Sequence, residues 1–256
     1  MTPESRAAFV RATSDDADRW VVAAPPGYAS VALFLTAPAF FADPDVQSVS
    51  NGVIHADQTF TWHQPWVDGR YSASGTVNRV RERRGAYFIT LTTTVLDVDG
   101  VAVVDSVSTF LMAEGSTTDP APQASEPPAN HRATNDYPSD GGAFFKSASR
   151  ADLVRYAAAT SDFNEIHWDH DEAVAAGLPG VVVHGLLMAN WMFQAGSVLA
   201  EGDQPLLTSK VRFRAPLRPA EQAEVITTVD DDGASVSTQL SAGGTLRASA
   251  STQVTR

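Results

Sequence analysis

The chain contains no cysteine, which removes disulfides, thiolate nucleophiles and cysteine-ligated zinc or iron–sulfur clusters together. Basic residues are scarce as well. Eighteen Lys and Arg stand against thirty Asp and Glu, a formal charge of -12, so a broad surface for a nucleic-acid backbone is not expected. Long apolar runs are also missing. The most apolar stretch, Val31 to Phe41, contains Pro38 and is far below the roughly 20 residues that span a bilayer. It reads as a buried segment. It follows Asp15, Asp16, Asp18 and a Pro25-Pro26-Gly27 turn rather than a basic leader, which argues against a signal peptide and makes a cytoplasmic protein the expectation.

What is present suits a globular chain: 43% of its 256 residues are hydrophobic and 19% charged, enough apolar surface for a sizeable core. Glu114 to Gly142 stands apart, crowded with Pro, Ser, Thr, Asp, Asn and Gly and without helical or strand periodicity, the composition of a linker. It divides the chain into units 1–113 and 143–256. In the first, Gln58 to Trp62, Arg70 to Arg81, Tyr87 to Asp97 and Val101 to Met112 read as antiparallel strands between Asp-Gly and Arg-Gly turns. Leu207 to Arg214, Ala223 to Val229, Ser235 to Ser241 and Thr245 to Val254 repeat the pattern in the second.

Three anchors recur in the same order in both units. Phe9-Val10-Arg11 and Thr13-Ser14-Asp15 echo Leu153-Val154-Arg155 and Thr160-Ser161-Asp162; Pro26-Gly27 precedes an apolar run as His184-Gly185 does; Gln64-Pro65-Trp66 leads into a strand as Ala215-Pro216-Leu217 does. A duplicated unit is the reading. His184 to Leu199 has hardly any polar face, so this helix belongs inside, wrapped by sheet. An α+β tandem double hotdog follows, each unit an antiparallel sheet around one long apolar helix.

The chemistry concentrates between Tyr156 and Leu187. Asp162 and His167 place a carboxylate and an imidazole five residues apart, and the intervening Asn164, after Ser161, favours a turn over a continued helix. A bent segment can aim both side chains into one pocket. Ile166 would anchor the turn to the core. Gly185 opens the buried helix, where unpaired N–H groups and the positive dipole end can face a developing oxyanion. A base, an acid and an oxyanion site are therefore within one segment.

This segment resembles the signature of the MaoC-like (R)-specific enoyl-CoA hydratases and (R)-3-hydroxyacyl dehydratases. Tyr156, Thr160, Asp162, Asn164, Ile166, His167 and Ala173 fit that pattern, while Ser161 stands for its glycine and Glu165 for its proline. Pro25-Pro26-Gly27, His55-Ala56-Asp57-Gln58 and Gln64-Pro65 resemble the first half of two-hotdog members. The resemblance implies that Asp162 and His167 hold and activate a water that adds to C3 of a trans-2-enoyl thioester, with a proton delivered to C2 on the same face. It also implies that Gly185 N–H polarises the thioester carbonyl, that Asn164 and His184 support the site, and that no cofactor is needed. The partner is an acyl-CoA or acyl-carrier-protein thioester, and a homodimer is compatible with the family.

In the first unit Asp15 matches Asp162, but Trp20 falls where His167 would and Ala17 where Asn164 would. One active site per chain is expected, with the first unit shaping the substrate channel. Lys210, Arg212 and Arg214 share one face of a strand and are candidates for CoA phosphates, against the alternative of plain solvated surface. Asp169, His170 and Asp171 point in different directions and read as helix-start charges, so no metal is expected. Trp62, His63 and Trp66 read as sheet packing. Two alternatives remain open at this point: an acyl-CoA thioesterase of the same fold, and a non-catalytic acyl-thioester-binding protein.

Overall fold

The computed structural model of the chain describes residues 1–49, 53–113, 133–139, 142–231 and 233–255. Among these residues, nine strands form one antiparallel sheet in the order β2-β3-β4-β1-β6-β9-β8-β7-β5. β1 (Val53–Trp62), β2 (Ser72–Arg83), β3 (Ala86–Leu96) and β4 (Ala102–Ala113) make the first half; β6 (Leu206–Phe213), β7 (Ala223–Val229), β8 (Ser235–Ala242) and β9 (Thr245–Val254), with the short β5 (Phe144–Lys146), make the second. The halves join where β1 pairs with β6, from Asp57↔Arg212 to Thr61↔Thr208. Both run in the same order, β1-β4-β3-β2 and β6-β9-β8-β7, and they meet antiparallel, the pattern of two copies related by a twofold rotation.

Each half carries a helix on one face: α2 (Ser30–Phe41) against β2, β3 and β4, and α6 (Gly185–Ser197) against β6 to β9. Every residue of α6 from Leu186 to Ser197 is buried, as its unbroken apolar sequence requires. The stretch read as a buried segment is this α2, and it is buried on one side only: Ala32, Leu33 and Ala37 face the sheet while Leu35 is 60% exposed. A helix laid on half a sheet keeps one stripe in water. The amino-terminal helices α1 (Pro3–Thr13) and α4 (Arg150–Thr160) pack on each other, with Phe9 and Tyr156 rings 6.2 Å apart.

The geometry corrects one of the sequence anchors. Thr2 and Ser149 close the same capping box at the starts of α1 and α4; Thr13 and Thr160 turn their hydroxyls back to Phe9 and Tyr156 carbonyls; Ser14 and Ser161 both end their helices in the left-handed conformation. Phe9 thus corresponds to Tyr156, and Leu153 to Arg6. The Phe-Val-Arg and Leu-Val-Arg likeness was one of composition, three residues out of register. Of the linker 114–142, residues 114–132, 140 and 141 lie outside the described residues. Thr134 and Asn135 hold to β5, through Ser147 N–H to Thr134 and a bridge between Asn135 and Lys146.

Candidate active site

The site forms where α4 stops. Ser161 turns the chain with φ 66° and ψ 21°, the left-handed region in which glycine sits without penalty and a side chain does not; this is why the resembled pattern has glycine there. Asp162 follows, its N–H bonded to Thr160 Oγ1 at 3.3 Å. Asn164 then starts a single 3-10 turn, Glu165–His167, its side chain accepting the Ile166 N–H at 3.4 Å. Glu165 takes the first position of that turn, where proline and acidic residues are both favoured, so its substitution leaves the turn intact.

Two bonds to the Val182 backbone tie the turn down: Val182 N–H to Ile166 carbonyl at 3.1 Å, and His167 Nδ1–H to Val182 carbonyl at 2.9 Å. Ile166 holds on through its carbonyl, with its side chain only half-buried. Because Nδ1 carries the proton, Nε2 of His167 presents a lone pair. His184 stacks on His167 with ring centroids 3.8 Å apart and 24° between planes, and its Nε2–H points to the Asp162 carbonyl at 3.3 Å. It does not cap α6 with its side chain; it fastens the Asp162 turn to the start of that helix.

A carboxylate oxygen of Asp162 and a ring nitrogen from each of His167 and His184 lie within 4.8 Å of one another, a span one water can bridge with two hydrogen bonds of ~2.8 Å. All three residues are buried. Burial pushes the Asp162 carboxyl up to about 7, against the pull of the Asn164 N–H. Burial pushes His167 down to about 4, and His184 well below its usual value with His167 adding to the effect. Both charged forms are disfavoured by the same cause, so just below neutrality the favoured pair is a protonated Asp162 beside a neutral His167.

The same three groups are the ones that could be asked to hold a metal. Ligands on one zinc sit about 3.5 Å apart, as ~2.1 Å bonds at tetrahedral angles dictate. Imidazole donates in its ring plane, and two nearly parallel stacked rings send their lone pairs side by side instead of to one point. The arrangement suits a shared water better than a shared ion. Asp169 caps α5 (His170–Ala175) by accepting the Asp171 and Glu172 N–H groups, as the sequence reading anticipated.

At the start of α6, Leu187 and Met188 N–H return to the His184 carbonyl. Gly185 and Leu186 N–H find no acceptor among the described residues. A Cβ on Gly185 would stand 3.3 Å from the Phe213 ring, so glycine lets that ring cover the helix start. Lys210 and Arg212 point the other way, to the outer face of β6, where Arg212 pairs with Asp57 at 3.4 Å; Arg214 lies beyond the strand's end, exposed. None of the three joins the Asp162 cluster.

Sequence reasoning missed the supports that Ser30 and Gly27 bring from the first unit. Tyr156, buried against His184 at 4.8 Å, donates to Ser30 Oγ and receives Asn190 Nδ2–H, both at 3.3 Å. Asn190 Oδ1 occupies the place a Cβ of Gly27 would take, 1.2 Å from it. The glycine after Pro25-Pro26 was the available signal. A separate shallow recess beside Pro25, Pro26, Trp62 and Trp66 contains none of these groups.

The matching place in the first unit is filled. Trp20 donates its indole N–H to Asp15 at 2.9 Å, Tyr137 adds its hydroxyl at 3.2 Å, and the buried Lys146 ammonium lies nearby, bonded to the Ser14 carbonyl at 3.5 Å. Burial raises the Asp15 carboxyl, partly offset by these donors.

Comparison with known proteins agrees with this fold. Residues 125–249 match the family described as MaoC like domain, and residues 8–106 match the FAS1-like, dehydratase domain region. A UPF0336 protein of Clavibacter michiganensis subsp. michiganensis is 32% identical over 92 residues, which are 36% of this chain and 62% of that relative, less than two thirds of its length. Among solved structures, a MaoC-like dehydratase superposes with a TM-score of 0.78 at 21% identity, covering 100% of this chain and 94% of that one. A conserved hypothetical protein of Mycobacterium tuberculosis described as having a double hotdog fold superposes at 0.61 with 14% identity, covering 100% and 93%. The chain has the double hotdog fold, and its second half is similar to the MaoC like domain.

Proposed function

We propose that this double-hotdog chain, whose second half is similar to the MaoC like domain, catalyses the reversible syn hydration of trans-2-enoyl thioesters to (R)-3-hydroxyacyl thioesters. The observation that carries the reading is the meeting of Asp162 and His167 across one water's span, beside two free N–H groups at the head of α6. Neutral His167 accepts a proton from water through Nε2 as the oxygen bonds to C3. Protonated Asp162 delivers its proton to C2. The water's proton left on His167 then restores Asp162, so the pair ends as it began. Between these events the electron pair of the C2–C3 double bond rests on the thioester oxygen, held by Gly185 N–H with Leu186 N–H beside it. Such acid–base help is worth about 10²–10⁴ in rate.

The thioester is carried by CoA or by an acyl carrier protein. Lys210 and Arg212 are not assigned to its phosphates, because they face away from the cluster. With crotonyl-CoA, loss of the enone absorbance is expected for the native chain, and Asp162→Asn and His167→Asn should each lower kcat by at least about 10²-fold. Undiminished turnover in either variant would refute the assignment. Release of free thiol without enone loss would point to thioester hydrolysis instead, and thioester binding with neither product to a non-catalytic role.

A further inference from the structure

One half-buried imidazole, its Nε2 fully covered, has no part in that reaction. His55 lies on the helix-bearing face of β1 next to the bulge at Ala56, opposite Phe110 of β4. Its ring is 4.9 Å from Phe110 and 5.1 Å from Phe213, centroid to centroid, and Phe213 is the ring that covers Gly185. The register continues through Phe110↔Ile89 and Ile89↔Val80. Phe213, His55, Phe110, Ile89 and Val80 thus form one transverse row, from the head of α6 to the open edge of the sheet, about 19 Å across four strand spacings. Phe41 packs edge-to-face on Phe110 at 5.3 Å. The outer end is accessible, with Val80 60% exposed.

The row is apolar except for His55. Gln58, three residues on, has its side chain pinned by Ser106 and Ser108. Nε2 is buried and has no partner among the described residues. Buried polar atoms are nearly always satisfied, and an exception calls for a reason. Burial keeps this imidazole uncharged, down to about 4, so what it offers is one neutral hydrogen bond within an aromatic lining.

Resting on the hydratase reading, we infer that the acyl chain lies along this row and that His55 Nε2 bonds an oxygen on it, so that the preferred substrates are 2-enoyl thioesters bearing a hydroxyl or carbonyl beyond C3. Neutral oxygen also occurs in the amides of the pantetheine arm, and the test separates the two sources. Matched 2-enoyl-CoA substrates of equal length are compared, one plain and the others with a hydroxyl or keto group at successive positions. The native chain should show a kcat/KM at least about tenfold higher for one oxygenated substrate than for the plain one. In His55→Phe that ratio should collapse to about one, and in His55→Gln it should partly return. No preference in the native chain, or a ratio unchanged in His55→Phe, would overturn the inference. So would equal losses on plain and oxygenated CoA substrates that disappear with N-acetylcysteamine thioesters, since these would place the pantetheine arm at His55. If the native chain turns over no enoyl thioester at all, the hydratase reading fails, and calorimetric binding of the matching saturated acyl-CoA pair still reads the His55 preference by the same ratio.

Discussion

Asp162 is held in its less polar form at a cost to the fold, and the cost depends on pH. Its carboxyl titrates near 7 when folded against 3.8 as the ordinary value, so the folded chain keeps a proton that the unfolded chain releases between those values. That contribution is complete below about pH 3.8 and is lost as pH rises through 7. Asn cannot titrate. Asp162→Asn should therefore gain stability relative to the native chain at pH 8 compared with pH 4, by a few kcal/mol, while losing activity. Urea unfolding at the two pH values measures it, and an equal difference at both would contradict the burial argument. Ser161 illustrates a different expense. With φ 66°, Ser161→Gly relieves a left-handed serine and should raise stability by about 1 kcal/mol, seen as roughly 2–4 °C in Tm.

The elements explain why one unit keeps a carboxyl and an imidazole together and its copy does not. α1 and α4 end alike, and Asp15 and Trp20 stand where Asp162 and His167 stand, but β5 and the residues before it bring Lys146 and Tyr137 onto Asp15. Trp20→His alone should not create a second site. In a His167→Asn background it is expected to restore less than about 1% of native crotonyl-CoA hydration, because Tyr137 and Lys146 remain in place. The eight longer strands were legible in the sequence, most to within a residue or two, because alternating Val, Thr and Phe between glycine turns fixes which side faces the helices. β5 has three residues, too few for any period, and escaped. Asp162, His167 and Gly185 were legible since turn chemistry and spacing are local. The Phe213 and His55 juxtaposition was not, because it depends on the β1–β6 register and on a bulge at Ala56, which no local pattern announces.

At the scale of the molecule, the two halves share one hydrogen-bonded ladder and reach into each other. Gln194 of α6 donates to Thr13, and Arg19 donates to the Ser197 and Ala200 carbonyls at the carboxyl end of α6, where a cation is favoured. Tyr137 adds its bond to Asp15. These contacts do not need the chain between residues 113 and 133. Pieces 1–113 and 133–256, produced together, should elute as a one-to-one complex with crotonyl-CoA activity within about tenfold of the intact chain; independent elution of the pieces would show the covalent connection to be essential.

The open end of the sheet has a consequence of its own. An unpaired strand is a template for a neighbour, and among the described residues β2 is such a strand, with Arg79, Arg81 and Arg83 exposed along its outer face. A second molecule laid antiparallel against it would set guanidinium opposite guanidinium. Molecules of this kind repel along the line where sheets ordinarily fuse, which guards a crowded solution of them against end-to-end growth.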